Sequence, residues 1–247
     1  MKTFSITDTG RRRKTNQDYM YTSEKPVGSL PNLFIVADGM GGHNAGDYAS
    51  RYAVETIIKE AADSTEEQTA GVLRSIIHIA NEKLVQKSKE DVTLHGMGTT
   101  AVLAVIYDER LYVANVGDSR LYIINQDIRQ VTKDHSLVEE MVRRGELDKD
   151  IAKIHPDRHI ITRAIGATDD VTVDIFEVEL SDGDQILMCT DGLTNMIEDN
   201  HILTIFHSQR DIAEKAERLV KTANDNGGSD NITVIVIEPF SGEVKSC

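Results

Sequence analysis

Thr99-Thr100-Ala101-Val102-Leu103-Ala104-Val105-Ile106-Tyr107-Asp108-Glu109-Arg110-Leu111-Tyr112-Val113-Ala114-Asn115-Val116 is an apolar run, a charged break and a second apolar run. Val, Ile and Tyr suit the pleated, half-buried surface of a sheet. A break as short as Asp108-Glu109-Arg110 is of hairpin length, so the two runs are expected to pair antiparallel. The turn Gly117-Asp118-Ser119-Arg120 then leads into a third run, Leu121–Ile124. Working outward, Leu33–Ala37, Val171–Leu180, Gln185–Thr190 and Ile232–Glu238 read as strands by the same criteria. Ser181-Asp182-Gly183-Asp184 is again of hairpin length, which predicts that the runs on either side of it pair with each other.

Helical periodicity covers about 45–62, 66–89 and 211–224, each with apolar residues at spacings of three and four opposite a polar face. A shorter helix is expected from Ser136, where Ser136 and Glu139 have capping-box spacing and Gly145 suits the exit. Two long helices before the middle strands and one after the late strands must cover more than one sheet face. An α+β layered sandwich follows. The polar segment 143–159 lacks a core period and reads as a surface flap.

The 247 residues include 27 Lys plus Arg against 41 Asp plus Glu, a net charge of −14. That balance opposes binding to nucleic acid or to an anionic membrane surface. The longest apolar run, Ala101–Tyr107, falls far short of the roughly 20 residues that span a bilayer. The polar start gives no secretory signal, so no membrane insertion and a cytoplasmic location are expected. Cys189 and Cys247 are too few and too oddly placed for a disulfide framework or a zinc site.

Four aspartates sit at strand edges: Asp38 in Ala37-Asp38-Gly39-Met40-Gly41-Gly42-His43, Asp118 in its turn, Asp191 after Gln185–Thr190, and Asp230 before Ile232. Any one could be an ordinary turn residue. Two packed sheets could bring all four together. Unit charges about 4 Å apart then interact by roughly 4 kcal/mol at an effective dielectric near 20, and a divalent cation relieves that repulsion. Oxygen-only ligands favour Mg²⁺ or Mn²⁺, and a pair of such ions with a hydroxide between them suits in-line attack on phosphorus. The run Arg11-Arg12-Arg13-Lys14 reads either as a phosphate-binding arginine among neighbours or as a solvated basic loop.

In order along the chain, Arg13-Lys14-Thr15-Asn16-Gln17-Asp18, Asp38-Gly39-Met40-Gly41-Gly42-His43, Gly98-Thr99-Thr100, Asn115-Val116-Gly117-Asp118-Ser119-Arg120, Thr162-Arg163-Ala164-Ile165-Gly166, Thr190-Asp191-Gly192-Leu193 and Ser229-Asp230-Asn231 resemble the landmarks of bacterial type 2C (PPM family) metal-dependent serine/threonine phosphatases. The resemblance implies a four-layer α/β/β/α sandwich with two antiparallel sheets. It also implies one phosphatase domain over 1–240, a flap at about 136–160 and a short tail at 241–247. By the family pattern Asp38 bridges two metals, the Gly39 carbonyl binds one, and Asp191 and Asp230 complete the set. Asp18 holds metal-bound waters, Asp118 with Asp191 recruits a third, weaker ion, and Arg13 binds phosphate.

Met40 stands where many eukaryotic members carry the histidine held to protonate the leaving oxygen. His43 is therefore read as the acid or as a loop-stabilising residue. Gln17 replaces a frequent Glu. Gly98-Thr99-Thr100, Asn195 and Asn231 read as packing and loop-shaping residues, and Arg163 as an ion pair within the fold. The expected activity is hydrolysis of phosphoserine and phosphothreonine on proteins by a metal-bridging hydroxide, with Mn²⁺ or Mg²⁺ as cofactor and no phosphoenzyme. The implied partners are phosphorylated proteins and a bacterial membrane Ser/Thr kinase, and the protein is expected to be a monomer. The rivals are a phosphatase for a single regulatory protein of the anti-sigma-factor antagonist type, and a pseudo-enzyme that binds phosphoprotein without turnover.

Overall fold

Side chains alternate across a strand, and in Leu33–Met40 the two faces enter different cores. Leu33, Ile35 and Ala37 pack with helix residues such as Ala53, Ile57, Leu73 and Ile77, whereas Phe34 and Val36 pack with Leu121, Ile123, Met188 and Ile235. A strand buried on both faces needs a layer on each side. The computed structural model describes residues 1–42, 45–152 and 154–240. His43 and Cys247 lie outside them.

In chain order the strands are β1 (Lys2–Asp8), β2 (Asp18–Ser23), β3 (Leu33–Met40), β4 (Gly98–Thr99), β5 (Ala101–Tyr107) and β6 (Arg110–Val116). They continue with β7 (Arg120–Ile124), β8 (Ile128–Gln130), β9 (Asp174–Glu179), β10 (Gln185–Cys189) and β11 (Ile232–Glu238). The helices are α1 (Ala45–Asp63), α2 (Thr69–Glu90), α3 (Leu137–Arg143), α4 (Lys149–Ala152), α5 (Asp191–Thr194), α6 (Asp199–Phe206) and α7 (Ile212–Asp225). One sheet runs β1-β11-β10-β7-β8 and the other β2-β3-β5-β6-β9, with β4 on β3. Every strand pairing described is antiparallel.

Helices α1 and α2 cover the second sheet, and α5 to α7 cover the first through Leu193, Ile202, Phe206, Ala216, Leu219 and Ala223. The third core, between the sheets, completes the four-layer α/β/β/α sandwich. The hairpin between β5 and β6 closes at Tyr107 opposite Arg110, with Asp108 and Glu109 at φ 47° and 61°, the left-handed pair that a two-residue turn requires. Ser136 caps α3, its Oγ accepting from Glu139 N at 3.3 Å, and Ser136 bridges to Ile161. The ends of the expected flap, which carries α3 and α4, therefore meet.

One strand pairing differs from expectation. Strand β9 pairs with β6, and β10 lies between β11 and β7. The turn Ser181–Asp184 thus crosses from one sheet to the other, because two packed sheets can be joined by a connection as short as a hairpin's. The expected strand Thr99–Tyr107 breaks at Thr100, and β1 and β2 emerge at sheet edges. Their half-buried residues alternate with polar ones, a weaker signal than a continuous apolar run.

Candidate metal centre

Continuing the alternation of Phe34 and Val36, Asp38 falls on the face between the sheets, at their edge. In the antiparallel register Asp18 lies directly opposite it. Across the gap, Thr190 follows Met188 on the inward face of the first sheet and Thr233 precedes Ile235. Both hydroxyls donate to Asp18 Oδ2, at 2.8 and 2.7 Å. This single buried carboxylate oxygen ties the two sheets together.

Asp38 is gripped by its backbone. Its N–H donates to Thr100 Oγ1 at 2.9 Å, and its carbonyl accepts from Thr100 N and Thr99 Oγ1, each at 2.9 Å. Thr100 Oγ1 also shares a hydrogen bond of 2.8 Å with Ser119 Oγ, which joins the Asp38 strand end to the Asp118 turn. Gly39 lies so close to α1 that a Cβ there would sit 2.0 Å from the Gly46 carbonyl oxygen.

Asp191 opens α5, and Asn195 Nδ2 donates to its Oδ2 at 2.8 Å. Asp230 accepts from Asn231 N at 2.8 Å and from Arg13 Nη2 at 2.7 Å. Asn231 also holds the loop that carries Arg13. Its Nδ2 donates to the carbonyls of Thr9 and Thr15 at 2.9 Å each, and its Oδ1 accepts from Gln17 N at 2.8 Å.

Asp18, Asp38, Asp118, Asp191 and Asp230 share one electrostatic field. Burial pushes Asp18 up to about 7, opposed by its two threonine donors and helped by the charges of Asp191 and Asp230. Asp38 is driven well above the carboxylate range by burial and then by Asp18, Asp191, Asp118 and Asp230. Asp118 reaches about 8 through burial and Asp191. Asp191 is raised by burial and Asp230, and lowered by His159 and Asn195.

A divalent cation would hold these groups ionised. Asp18 Oδ1 and Asp191 Oδ1 are buried without a hydrogen-bond partner, which is the arrangement a cation completes. Among the described residues no three carboxylate, histidine or cysteine side chains form a ready-made ligand cluster. Donors that are all carboxylate oxygens suit hard ions that keep several waters and take few carboxylates, as Mg²⁺ and Mn²⁺ do. Cys189 packs into the helix-side core.

The structure thus brings together Arg13, Asp18, Asp38, Gly39, Asp118, Asp191 and Asp230, whereas His43 falls outside the described residues. Arg163 pairs within the fold, with Asp174 at 2.8 Å. Sequence reasoning missed the work of Thr100, Thr190 and Thr233 and understated that of Asn195 and Asn231. For Thr190 and Asn231 adjacency to an aspartate was a usable signal, whereas Thr100 stood only in the landmark Gly98-Thr99-Thr100, which read as packing.

The sequence pattern of the family described as protein phosphatase 2C matches residues 4–232. Serine/threonine phosphatase Stp of Listeria monocytogenes is 42% identical over 237 residues, covering 94% of this chain and 93% of that protein. The crystal structure of serine/threonine phosphatase Stp1 from Staphylococcus aureus superposes with a TM-score of 0.89 at 34% identity, covering 96% of this chain and 94% of that one. The catalytic domain of the serine/threonine protein phosphatase PstP, solved with two manganese ions, superposes with a TM-score of 0.83 at 30% identity, covering 95% and 96%. Fold, ordered motifs and relatives agree, and the chain belongs to the protein phosphatase 2C family.

Proposed function

We propose that Asp38, the Gly39 carbonyl, Asp191 and Asp230 hold two divalent ions for hydrolysis of phosphoserine and phosphothreonine on proteins, with Asp118 and Asp191 offering a third, weaker position. The chain is a metal-dependent serine/threonine protein phosphatase that uses Mn²⁺ or Mg²⁺. The observation that carries the residue assignment is the pair of buried, unpartnered oxygens on Asp18 and Asp191, beside carboxylates that raise one another's pKa. When bound, such ions lower the pKa of a coordinated water and offset charge on the phosphoryl oxygens.

The chain's own residues do the rest. Asp18, one oxygen fixed by Thr190 and Thr233 and the other without a partner, would hold water at the ions. Arg13 is engaged by Asp230 through Nη2 while its side chain stays 47% exposed, so the guanidinium is available to two phosphate oxygens at once. Met40 cannot donate a proton, so departure of the serine or threonine oxygen draws its proton from water or from His43. In the same reading residues 1–240 form one domain, 136–160 act as a flap beside the cleft, and the enzyme works as a cytoplasmic monomer. There it would reverse phosphorylation by a bacterial membrane Ser/Thr kinase.

The test is phosphate release from a phosphothreonine peptide with Mn²⁺, with excess EDTA, and by Asp38→Ala and Asp191→Ala. EDTA should abolish turnover, and each variant should lose at least about 100-fold in kcat while remaining folded. A metal-loaded wild type that binds the peptide and releases nothing would sink the reading.

A further inference from the structure

Arg11-Arg12-Arg13-Lys14 is the only run of four cations in a chain whose net charge is −14. Arg13 reaches Asp230. Arg11, Arg12 and Lys14 are exposed, and among the described residues their side chains make no hydrogen bond or ion pair. The acidic neighbour of Arg11, Asp225, is already paired with Lys221 at 2.6 Å.

The backbone that presents these cations is held firmly against the residues flanking Asp230. Asp8 Oδ1 accepts from Gly10 N at 2.7 Å, and the N–H groups of Arg11 and Arg12 both donate to the Gly228 carbonyl, at 2.8 and 3.1 Å. Asn231 holds Thr9 and Thr15 on either side of the run. Gly10, at φ +79°, fits so closely that a Cβ there would lie 2.1 Å from the Asp230 carbonyl oxygen.

A fixed cationic stretch on an anionic molecule creates a local field of opposite sign at the mouth of the site. A phosphorylated segment approaching that mouth must leave its neighbouring residues beside the loop. We propose that Arg11, Arg12 and Lys14 form a docking surface for acidic residues flanking the phosphoserine or phosphothreonine of a protein substrate. This rests on the phosphatase reading and adds a substrate preference to it.

The experiment compares kcat/KM, with Mn²⁺, for two phosphothreonine peptides that differ only in having Asp/Glu or Lys/Arg around the phosphoresidue, and for p-nitrophenyl phosphate, which has no flanks. Wild type is set against the triple variant Arg11→Gln, Arg12→Gln, Lys14→Gln at low and high salt, and both are melted to check folding. The wild type should favour the acidic peptide by about tenfold, with the preference shrinking in high salt. The triple variant should lose the preference while its melting temperature and p-nitrophenyl phosphate turnover stay at wild-type values.

Equal use of the two peptides by the wild type would overturn the inference. So would a preference that survives in the triple variant, or an equal fall on all three substrates. Hydrolysis of neither kind of substrate by the Mn²⁺-loaded wild type would overturn the phosphatase reading, and the docking surface with it.

Discussion

At the scale of single residues, Thr100 carries more than its place in an apolar run suggests. Its hydroxyl satisfies the Asp38 N–H and meets Ser119, and a buried donor left without a partner costs about 1–3 kcal/mol. Thr100→Val keeps the shape and removes the acceptor. It should lower stability by about that amount in urea unfolding and weaken Mn²⁺ binding in calorimetry, while Thr100→Ser retains both.

The raised carboxylates make a second residue-scale prediction. Asp18 and Asp118 stay protonated in the metal-free fold up to about 7 and 8, against 3.8 for an unperturbed aspartate. Between those values the folded chain binds more protons than the unfolded one, so stability falls as pH rises. EDTA-treated protein should therefore melt at higher temperature at about pH 6.5 than at about pH 8.5, and Asp18→Asn should flatten the slope. His135, lowered from 6.5 by burial, acts with the opposite sign only below that value. An unchanged slope in Asp18→Asn would refute the assignment of the shift to Asp18.

At the scale of elements, the short helix α5 places Asp191 by packing tightly on the entry to β11. A Cβ on Gly192 would lie 1.8 Å from the Asn231 carbonyl oxygen. Gly192→Ala must push α5 away from Asp230, and overpacking of this kind costs about 1–3 kcal/mol. Mn²⁺ affinity measured by calorimetry should drop with it. The control is Asp211→Ala on α7, which removes the cap that accepts from Glu214 N at 2.9 Å. It should cost about 1 kcal/mol and leave Mn²⁺ affinity unchanged. Equal loss of affinity in both variants would mean that general destabilisation is responsible.

At the scale of the whole molecule, the site lies where two sheets meet. Asp18 and Asp38 come from one sheet, and Asp191 and Asp230 stand at strand ends of the other. Ions held among them as proposed would stabilise the packing of the sheets as well as support chemistry. At a free concentration 100 times the dissociation constant, binding adds about 2.7 kcal/mol to folding. The melting temperature should rise with Mn²⁺ and fall back with EDTA, and this response should vanish in Asp38→Ala.

Much of this was legible in the amino-acid order. Periodicities of two and of three to four mark which face of an element is buried, because burial follows from geometry within one element. The strand runs, the three long helices, the hairpin at Asp108 and the aspartates at strand ends were readable for that reason. The fit of the Asp38, Asp191 and Asp230 motifs to a known family added the expected roles.

Partner choice was not readable. Nothing near Ser181–Asp184 says that its flanking strands enter different sheets, since one short turn serves a hairpin and a crossing alike. Nothing near Thr100 says that it clasps Asp38. Asp18 accepts its two hydrogen bonds from Thr190 and Thr233, 172 and 215 residues away. The sequence by itself determined the core strand runs, the three long helices with their buried faces, and the acidic strand ends. Only the tertiary structure decided which strands pair and which hydroxyls hold the carboxylates, because hydrogen bonds depend on distances in space that separation along the chain does not encode.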